Sequence, residues 1–232
     1  MCGRYTLRVT GDELAERFEA KLRAEFEPTY NAAPGQNLPV VREGDTENED
    51  SHAVDNLRWG LVPSWADDDK EGNINARAET IAEKPSFAEA YEKRRCLVPA
   101  DGFYEWTDEG PWYVEFERVV ALAGIWERWV PETRQAGLGS FEDESDGAKK
   151  DSRGRDELES FAILTTEPNE KVARLHHRMA VVLGGGEEKD WLDATLGAEE
   201  LGPRDEPADV RRVSEHVNSP ENDDASLVVG VE

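Results

Sequence analysis

The sequence predicts an α+β fold, with a curved, largely antiparallel and barrel-like β-sheet core flanked by short helices. Predicted strands outnumber predicted helices, and the two do not alternate in the regular order of a parallel β–α–β sheet. Seven Trp, seven Phe and five Tyr provide for a packed core. Because no linker rich in Pro, Gly or Ser divides the 232 residues, we expect one domain over residues 1–232.

The amino-terminal elements follow from alternation and capping signals. Residues 2–8 alternate small or apolar with polar side chains, which predicts a strand. Thr10 and Glu13 have the spacing of a capping box before an apolar period, which predicts an amphipathic helix over residues 11–25. Two further strands are predicted, at residues 38–42 and 56–61.

The central segment reads as a short helix followed by a meander. Ser86 and Glu89 form a second capping-box pattern, so a helix is predicted from there to about Arg94. Aromatic and β-branched runs then predict antiparallel strands connected by a turn that contains Gly110 and Pro111. These strands are expected at residues 103–107, 112–118 and 119–126.

The rest of the chain begins with residues 131–160, which are polar and acidic and have no apolar period. We interpret them as an acidic surface insertion. Thr166 is predicted to cap a helix that has Pro168 near its first position and ends around residues 176–177. A further helix is predicted at 189–196, and strands at 161–165, 179–183, 210–213 and 227–231.

The net charge bears on the salt concentration in which the protein works and on its binding of nucleic acid. There are 52 acidic and 27 basic residues, a formal net charge of −25, which is typical of a protein kept soluble in a very salty cytoplasm; the alternative is an ordinary acidic protein. Such a charge disfavours nucleic-acid binding at ordinary salt. At 1 M salt, however, the Debye length falls to about 3 Å, so distant carboxylates would repel phosphates little.

Cysteine content and hydropathy indicate the cellular compartment in which we expect the protein. Two cysteines, Cys2 and Cys96, do not suffice for a disulfide framework or a four-cysteine metal site. No signal-peptide pattern opens the chain, and the longest apolar stretch is far below the roughly 20 residues that span a bilayer. We therefore expect a cytoplasmic protein with no membrane association, no metal and no cofactor.

Cys2 offers chemistry that depends on its position. If Met1 is removed, the mature chain begins with an α-amine and a thiol on neighbouring carbons, with ordinary pKa values of about 8 and about 8.5. Together they can add to one aldehyde, through a Schiff base that the sulfur closes into a thiazolidine. The alternative is that residue 2 merely supplies a small apolar side chain at the start of a strand.

Two further residues could move protons. Glu105 lies between Tyr104 and Trp106 in a predicted strand, where burial would raise its pKa, but it could equally be a solvent-facing residue of an alternating strand. His176 and His177, at a predicted helix end, could act as acid or base or serve as structural hydrogen-bonding groups. No metal-ligand spacing, phosphate-binding loop or nucleophile elbow is found.

Eight short motifs, in a fixed order over nearly the whole chain, resemble the SOS response-associated peptidase (SRAP) family of abasic-site processing proteins. One departure is Ala180, where the family usually has proline, and the other is the acidity of the chain. The motifs are MCGRY at residues 1–5, YNAAP at 30–34, RWGLVPSW at 58–65, NARAET at 75–80, RCLVPADGFYEW at 95–106, AGIWE at 123–127, TTEPN at 165–169 and HHRM at 176–179.

The resemblance implies an enzyme that cross-links covalently to abasic sites in single-stranded DNA. It implies that Cys2, with Met1 removed, captures the sugar aldehyde as a thiazolidine. It further implies that Asn75 hydrogen-bonds the opened sugar, that Glu105 shuttles protons and that His176 assists ring opening. Members lose Met1, which explains the peptidase name; whether removal is autocatalytic stays open, as does a lyase activity.

The resemblance also implies a DNA-binding surface, and it leaves two rival functions. Arg4 and Arg77 would hold phosphates, and Trp65 would stack on a base or lie in the core. A monomer is expected. One rival is a glutamine amidotransferase-like hydrolase with Cys2 as terminal nucleophile, and the other is a non-covalent single-stranded DNA-binding protein.

Overall fold

The computed structural model of the protein describes residues 2–44, 52–70, 72–131, 157–204 and 207–231. Within them, twelve strands belong to one mixed sheet, and three short α-helices lie outside it. The strands are β1 (Tyr5–Leu7), β2 (Ala20–Leu22), β3 (Thr29–Ala32), β4 (Asn37–Glu43), β5 (His52–Trp59), β6 (Asn75–Arg77), β7 (Arg95–Thr107), β8 (Gly110–Trp129), β9 (Leu158–Thr166), β10 (Met179–Ala180), β11 (Val182–Leu183) and β12 (Pro207–Arg212). The helices are α1 (Gly11–Arg17), α2 (Ala88–Lys93) and α3 (Glu187–Leu192).

Five of the strands close into a barrel. Strand β8 pairs with β9, β9 with β5, β5 with β4, β4 with β7, and β7 pairs again with β8, which completes the ring. Most of these pairs are antiparallel, whereas β5 and β9 run parallel. Strand β1 continues the sheet beyond β7, with β3 at its far side. The predicted α+β class with a barrel-like core is therefore confirmed.

The β7–β8 hairpin is the longest element of the barrel. Gly110, at its turn, has a φ of +112°, a left-handed conformation that glycine adopts without a steric penalty. The register shifts between Ala100 and Gly102, so a bulge bends the pair at its middle. A Cβ on Gly102 would lie 2.2 Å from the Tyr113 hydroxyl, so only glycine fits this bend.

Aromatic side chains pack together in the hydrophobic core. The Trp59 and Phe161 rings stack with centroids 6.3 Å apart, and Tyr5 packs against Trp59 at 5.2 Å. All three side chains are buried, and each removes on the order of 150–250 Å² of surface from water. The Trp191 indole N–H donates to the carbonyls of Cys96 and Gly124 at 3.1 and 3.2 Å, which joins α3 to β7 and β8.

The predicted first helix is right at its start and wrong at its end. The capping box of Thr10 and Glu13 is formed, and α1 begins at Gly11 as expected. The helix ends at Arg17 rather than at residue 25, because Glu19 takes a left-handed φ of 49° and the next residues form β2 beside β5. Pairing with the sheet therefore overrides a continuing apolar period.

The second helix exists, but its predicted cap does not. Helix α2 spans Ala88–Lys93, and its N-cap residue is Phe87, which makes no side-chain capping hydrogen bond. The Ser86 and Glu89 pattern is therefore wrong as a capping box. The two predicted strands 112–118 and 119–126 are instead one continuous strand, β8, and strands β3 and β6 were not predicted.

The carboxyl-terminal third differs most from expectation. The helix predicted after Thr166 is wrong, because β9 includes Thr166 and only a 3₁₀ turn, Val172–Arg174, precedes the histidines. Residues 225–228 form a 3₁₀ turn, and a single bridge joins Val213 to Gly230 where a strand was predicted. The helix predicted at 189–196 spans Glu187–Leu192.

Most of the predicted insertion, residues 132–156, lies outside the described residues. The predicted end of the insertion at residue 160 is wrong, because β9 begins at Leu158. Among the described residues, no helix is long and apolar enough to cross a membrane.

Candidate active site at the amino terminus

Strand pairing positions the residues from which the site is built. Strand β1 pairs with β7, and the Tyr104 amide donates to the Arg4 carbonyl at 3.0 Å, so the chain start lies alongside the segment that carries Glu105. On the other side, β6 and β10 flank β9, with Arg77 opposite Thr165 and Met179 opposite Thr166. The segment carrying Asn75 and the segment following His176 therefore meet the same strand.

Cys2 is fully buried at this junction. Its Sγ lies 3.9 Å from the Arg4 carbonyl oxygen, and no part of the residue is exposed to solvent. Burial raises the pKa of the thiol to about 12, and the negative charge of Glu105 adds to the rise, while the positive amino terminus opposes it. The thiol is therefore protonated at neutral pH, and any reaction of its sulfur needs a proton acceptor.

Asn75 joins β6 to the chain start. Its Nδ2 donates to the Cys2 carbonyl oxygen at 2.9 Å, which fixes the backbone of the residue that carries the thiol. Its Oδ1 is buried and has no hydrogen-bond partner among the described residues. A buried acceptor without a donor is unusual in a folded protein, so this oxygen is available to a ligand hydroxyl or N–H group.

Glu105 is buried, with 3% of its surface exposed, so the alternative of a solvent-facing residue is wrong. Burial raises the pKa of its carboxyl, and the positive charges of the amino terminus and of His177 oppose that rise. A carboxyl with a raised pKa can both give and take a proton closer to neutral pH than an ordinary glutamate can.

His176 follows the 3₁₀ turn rather than an α-helix. The Arg178 backbone N–H donates to its Nδ1 at 3.0 Å, and its ring lies 4.2 Å from that of His177. Burial lowers the pKa of His176, the hydrogen bond with the Arg178 backbone opposes this fall, and the nearby positive charge of the Arg178 side chain adds to it. The imidazole is therefore neutral at pH 7 and can accept or donate one proton.

The residues expected to bind DNA are in three different settings. Arg4 is engaged by the protein, because its Nη1 donates to Asn31 Oδ1 and to the Val217 carbonyl, each at 2.8 Å. Arg77 is exposed and close enough to lower the pKa of His177. Trp65 is 64% exposed, so its placement in the core is wrong; its indole N–H donates to the Pro85 carbonyl at 3.4 Å.

The Asn75–Cys2 hydrogen bond and the effect of Glu105 on the Cys2 pKa bring Cys2, Asn75 and Glu105 together. His177, whose ring contacts that of His176, is close enough to Glu105 to lower its pKa. Within the described residues, no hydrogen bond joins Trp65 to this group. No cluster of three or more Cys, His, Asp or Glu in the described chain is arranged to hold a metal.

Two features of the site were given no role in the sequence interpretation. Trp106, beside Glu105, is 36% exposed and is held by a 2.7 Å hydrogen bond from its indole N–H to Asn218 Oδ1. Arg178 and Glu79 form an ion pair between two site segments. Their presence inside the motifs HHRM and NARAET was the signal that could have identified the pair.

The fold and the site define a class: a five-stranded barrel with accessory strands that holds a buried cysteine, next to the amino terminus, between an asparagine and a glutamate. The family model of the SOS response associated peptidase (SRAP) matches residues 1–220. The chain therefore belongs to the SRAP family.

The chain is also similar to named relatives and to a solved structure over most of its length. The chain is 35% identical to the abasic site processing protein YoaM of Bacillus subtilis, over 98% of this chain and 97% of YoaM. It is 28% identical to the abasic site processing protein HMCES of Gallus gallus, over 89% of this chain and 67% of HMCES. A crystal structure of a Bacteroides thetaiotaomicron protein matches with a TM-score of 0.78 and 25% identity, over 100% of both chains.

Proposed function

We propose that this protein captures abasic sites in single-stranded DNA as a covalent thiazolidine on Cys2, once Met1 has been removed, and thereby shields the lesion. The observation that carries the proposal is the group formed by buried Cys2, buried Glu105 and half-buried Asn75 near the start of the chain. Membership of a family whose relatives are named abasic site processing proteins supports it.

The reaction begins with an opened sugar. An abasic deoxyribose opens to an aldehyde when a proton moves from its anomeric hydroxyl to the ring oxygen, a transfer that neutral His176 can assist. The α-amine of Cys2 adds to the aldehyde carbon, and the carbinolamine loses water to give a Schiff base. Glu105, whose pKa is raised by burial, supplies the proton that leaves with that water.

Ring closure then uses the thiol. The sulfur forms a bond to the imine carbon, the π bond of the C=N group breaks toward nitrogen, and the thiol proton is transferred to that nitrogen through the carboxylate of Glu105. Because the thiol pKa is raised to about 12, this proton acceptor is needed at neutral pH. Asn75 Oδ1 would accept a hydrogen bond from a hydroxyl of the opened sugar.

The surrounding side chains would bind the strand. The exposed guanidinium of Arg77 and the remaining N–H groups of Arg4 would contact phosphates beside the lesion, since arginine suits bidentate contact with phosphate. Trp65, 64% exposed, would stack on a neighbouring base. With a net charge of −25, we expect binding to persist in concentrated salt, where the carboxylates repel phosphates little.

We extend the proposal to the chain as a whole: one SRAP domain over residues 1–232, acting as a monomer in the cytoplasm. Removal of Met1 could be autocatalytic, which would make peptidase activity a maturation step. A lyase activity would follow if the Schiff base led to β-elimination at the lesion.

The experiment uses the purified full chain and a single-stranded oligonucleotide with one abasic site in 1–3 M KCl. Intact mass is measured first, and the expected species lacks Met1. A denaturing gel should then show an adduct that survives without borohydride. Cys2→Ser should lose this adduct but yield one after reduction, because its amine still forms the Schiff base. Cys96→Ala, a change in the barrel wall, is the matched control and should react as wild type.

Three results would contradict the proposal: an unreduced adduct of equal yield in Cys2→Ser, active protein that retains Met1, or complexes that dissolve on denaturation. The last result would favour the non-covalent DNA-binding protein. Ammonia released from glutamine, without reaction at the DNA aldehyde, would favour the amidotransferase-like hydrolase.

A further inference from the structure

We propose that the Glu79–Arg178 ion pair is a positioning device: it holds the Arg178 backbone so that His176 presents its proton on Nε2 for sugar ring opening. The inference rests on the proposed function, because it concerns the histidine assigned to that step. Glu79 and Arg178 thereby gain a role in the site, and His176 is assigned a defined tautomer.

The ion pair is bidentate and joins a buried arginine to a glutamate whose side chain is 46% exposed. Arg178 Nη1 donates to Glu79 Oε1 at 2.7 Å and Nη2 to Glu79 Oε2 at 2.9 Å, while Arg178 is 9% exposed. Nη2 also donates to the Thr165 carbonyl at 2.6 Å, which ties the guanidinium to β9. The side chain of Arg178 is therefore fixed at both ends of its planar fork, and this restricts the backbone from which it extends.

The backbone of Arg178 in turn determines the state of His176. Its N–H donates to His176 Nδ1 at 3.0 Å, and because an amide can only donate, Nδ1 must keep its lone pair. The Arg178 carbonyl oxygen, 3.2 Å from the same Nδ1, would favour the opposite tautomer. The amide is the closer of the two partners, so we assign the neutral proton to Nε2.

The ion pair also connects two segments of the site. Glu79 lies in the 3₁₀ helix Ala78–Glu83, which directly follows Asn75–Arg77, whereas Arg178 follows His176 by two residues. Both segments also pair with β9, and Arg77 of the first segment is close enough to lower the pKa of His177 in the second. The pair therefore sets the position of the ring-opening acid relative to the residues that hold the sugar and its phosphate.

The test compares Glu79→Gln and Arg178→Lys with wild type. Glu79→Gln keeps the shape of the side chain but removes the charge that fixes the fork. Long-range ¹⁵N–¹H spectra of the imidazoles report the tautomer directly, since protonated and unprotonated ring nitrogens differ in shift. We expect Nε2–H in wild-type His176 and a mixture of tautomers in both variants.

Cross-linking rates are measured in parallel on two oligonucleotides, one with an abasic site and one with an open-chain aldehyde that cannot cyclise. We expect both variants to react about tenfold more slowly with the abasic site and at the wild-type rate with the open-chain aldehyde, because only the first needs ring opening. The rate profile for the abasic site should also change its dependence on pH around the His176 titration. Glu188→Gln, which breaks the bidentate pair with Arg17 elsewhere on the surface, is the matched control and should change neither rate.

The inference fails if wild-type His176 carries its proton on Nδ1, or if both variants keep the wild-type tautomer and the wild-type ratio of the two rates. Equal slowing on both oligonucleotides would indicate general disorder of the site and would also overturn it. Failure of wild-type protein to react with either aldehyde would refute the proposed function instead, and the spectra would still decide the tautomer.

Discussion

The buried polar groups on the two faces of β1 differ in their hydrogen bonding: those on one face are paired, and some of those on the other are not. On one face, Thr6 Oγ1 lies 2.5 Å from Asp101 Oδ1 and 2.8 Å from the Tyr113 hydroxyl. The Arg8 amide and guanidinium both donate to Asp101, at 2.6 and 3.0 Å. Arg8 also reaches Glu115, so the polar groups of this cluster pair with one another.

On the other face, the groups around Cys2 are incompletely paired. Within the described residues, the Tyr5 hydroxyl and Asn75 Oδ1 are buried without a hydrogen-bond partner. Leaving such a group unsatisfied costs about 1–3 kcal/mol each, which the paired face avoids. The difference teaches that one face of the strand stabilises the fold, whereas the other keeps hydrogen-bonding capacity for a ligand.

The largest effect is expected from breaking the paired face. Asp101→Ala removes the acceptor of Thr6 and Arg8 and leaves the half-buried Arg8 guanidinium with Glu115 as its carboxylate partner, which should lower the free energy of unfolding by about 3 kcal/mol. Urea unfolding measures this. The folded fraction should cross-link at the wild-type rate, and a selective loss of reactivity would show that the two faces do not have separate roles.

Glu105→Gln should have the next largest effect, on rate rather than on stability. Loss of the proton shuttle should slow cross-linking by about 100-fold. Because burial raises the pKa of Glu105 above its ordinary 4.5, the folded state binds this proton more tightly than the unfolded state does. The stability of wild type should therefore decline as pH rises from 4.5 through the raised pKa, and the variant should lack this part of the decline.

Thermal unfolding between pH 4 and pH 8, together with single-turnover rates over the same range, checks the Glu105→Gln prediction. A variant that reacts as fast as wild type at every pH would remove Glu105 from the reaction.

Asn75→Ala should have a smaller effect, because it removes one hydrogen bond to the Cys2 carbonyl and one acceptor for the sugar. We expect about a tenfold slower reaction, which corresponds to about 1.4 kcal/mol, and a minor change in unfolding. Single-turnover cross-linking and urea unfolding are measured on the same preparation. A loss of stability larger than the loss of transition-state stabilisation would place Asn75 with the structural face.

Tyr5→Phe should have the smallest effect and the opposite sign. It removes a hydroxyl that is buried without a partner, so the free energy of unfolding should rise by about 1 kcal/mol. Tyr113→Phe is the matched control, since its hydroxyl bonds to Thr6, and it should lower stability by a similar amount. Equal effects of the two substitutions on the unfolding midpoint would contradict the contrast between the faces.

Local patterns predicted the elements that are locally determined. The capping box at Thr10 and Glu13 fixed the start of α1, but its end depends on β2 joining a strand about 30 residues away, which no local period contains. Likewise, β9 accepts Thr166 into the sheet, so a residue with good capping chemistry never starts a helix. The fold class survived these errors because it depends on the number of strands and not on their ends.

The site was predictable to the extent that its residues lie in ordered motifs. Cys2 and Glu105 were candidates from their own positions in the sequence, and Asn75 came from the resemblance. The burial of Glu105 could not be decided from its sequence neighbours, since alternation permits either face. The two motifs that contain Glu79 and Arg178 marked both residues for attention, but their direct contact was not predicted, because 99 residues separate them along the chain. Contacts of this kind arise from tertiary packing alone.

Both cysteines are completely buried, Cys2 ahead of β1 and Cys96 inside β7. A soluble alkylating reagent can therefore reach either sulfur only when that part of the chain transiently opens. The labelling rate of each cysteine then measures how often the structure around it opens. If Cys2 labels much faster than Cys96, the amino terminus detaches while the barrel stays closed, and a bulky DNA end could enter without global unfolding.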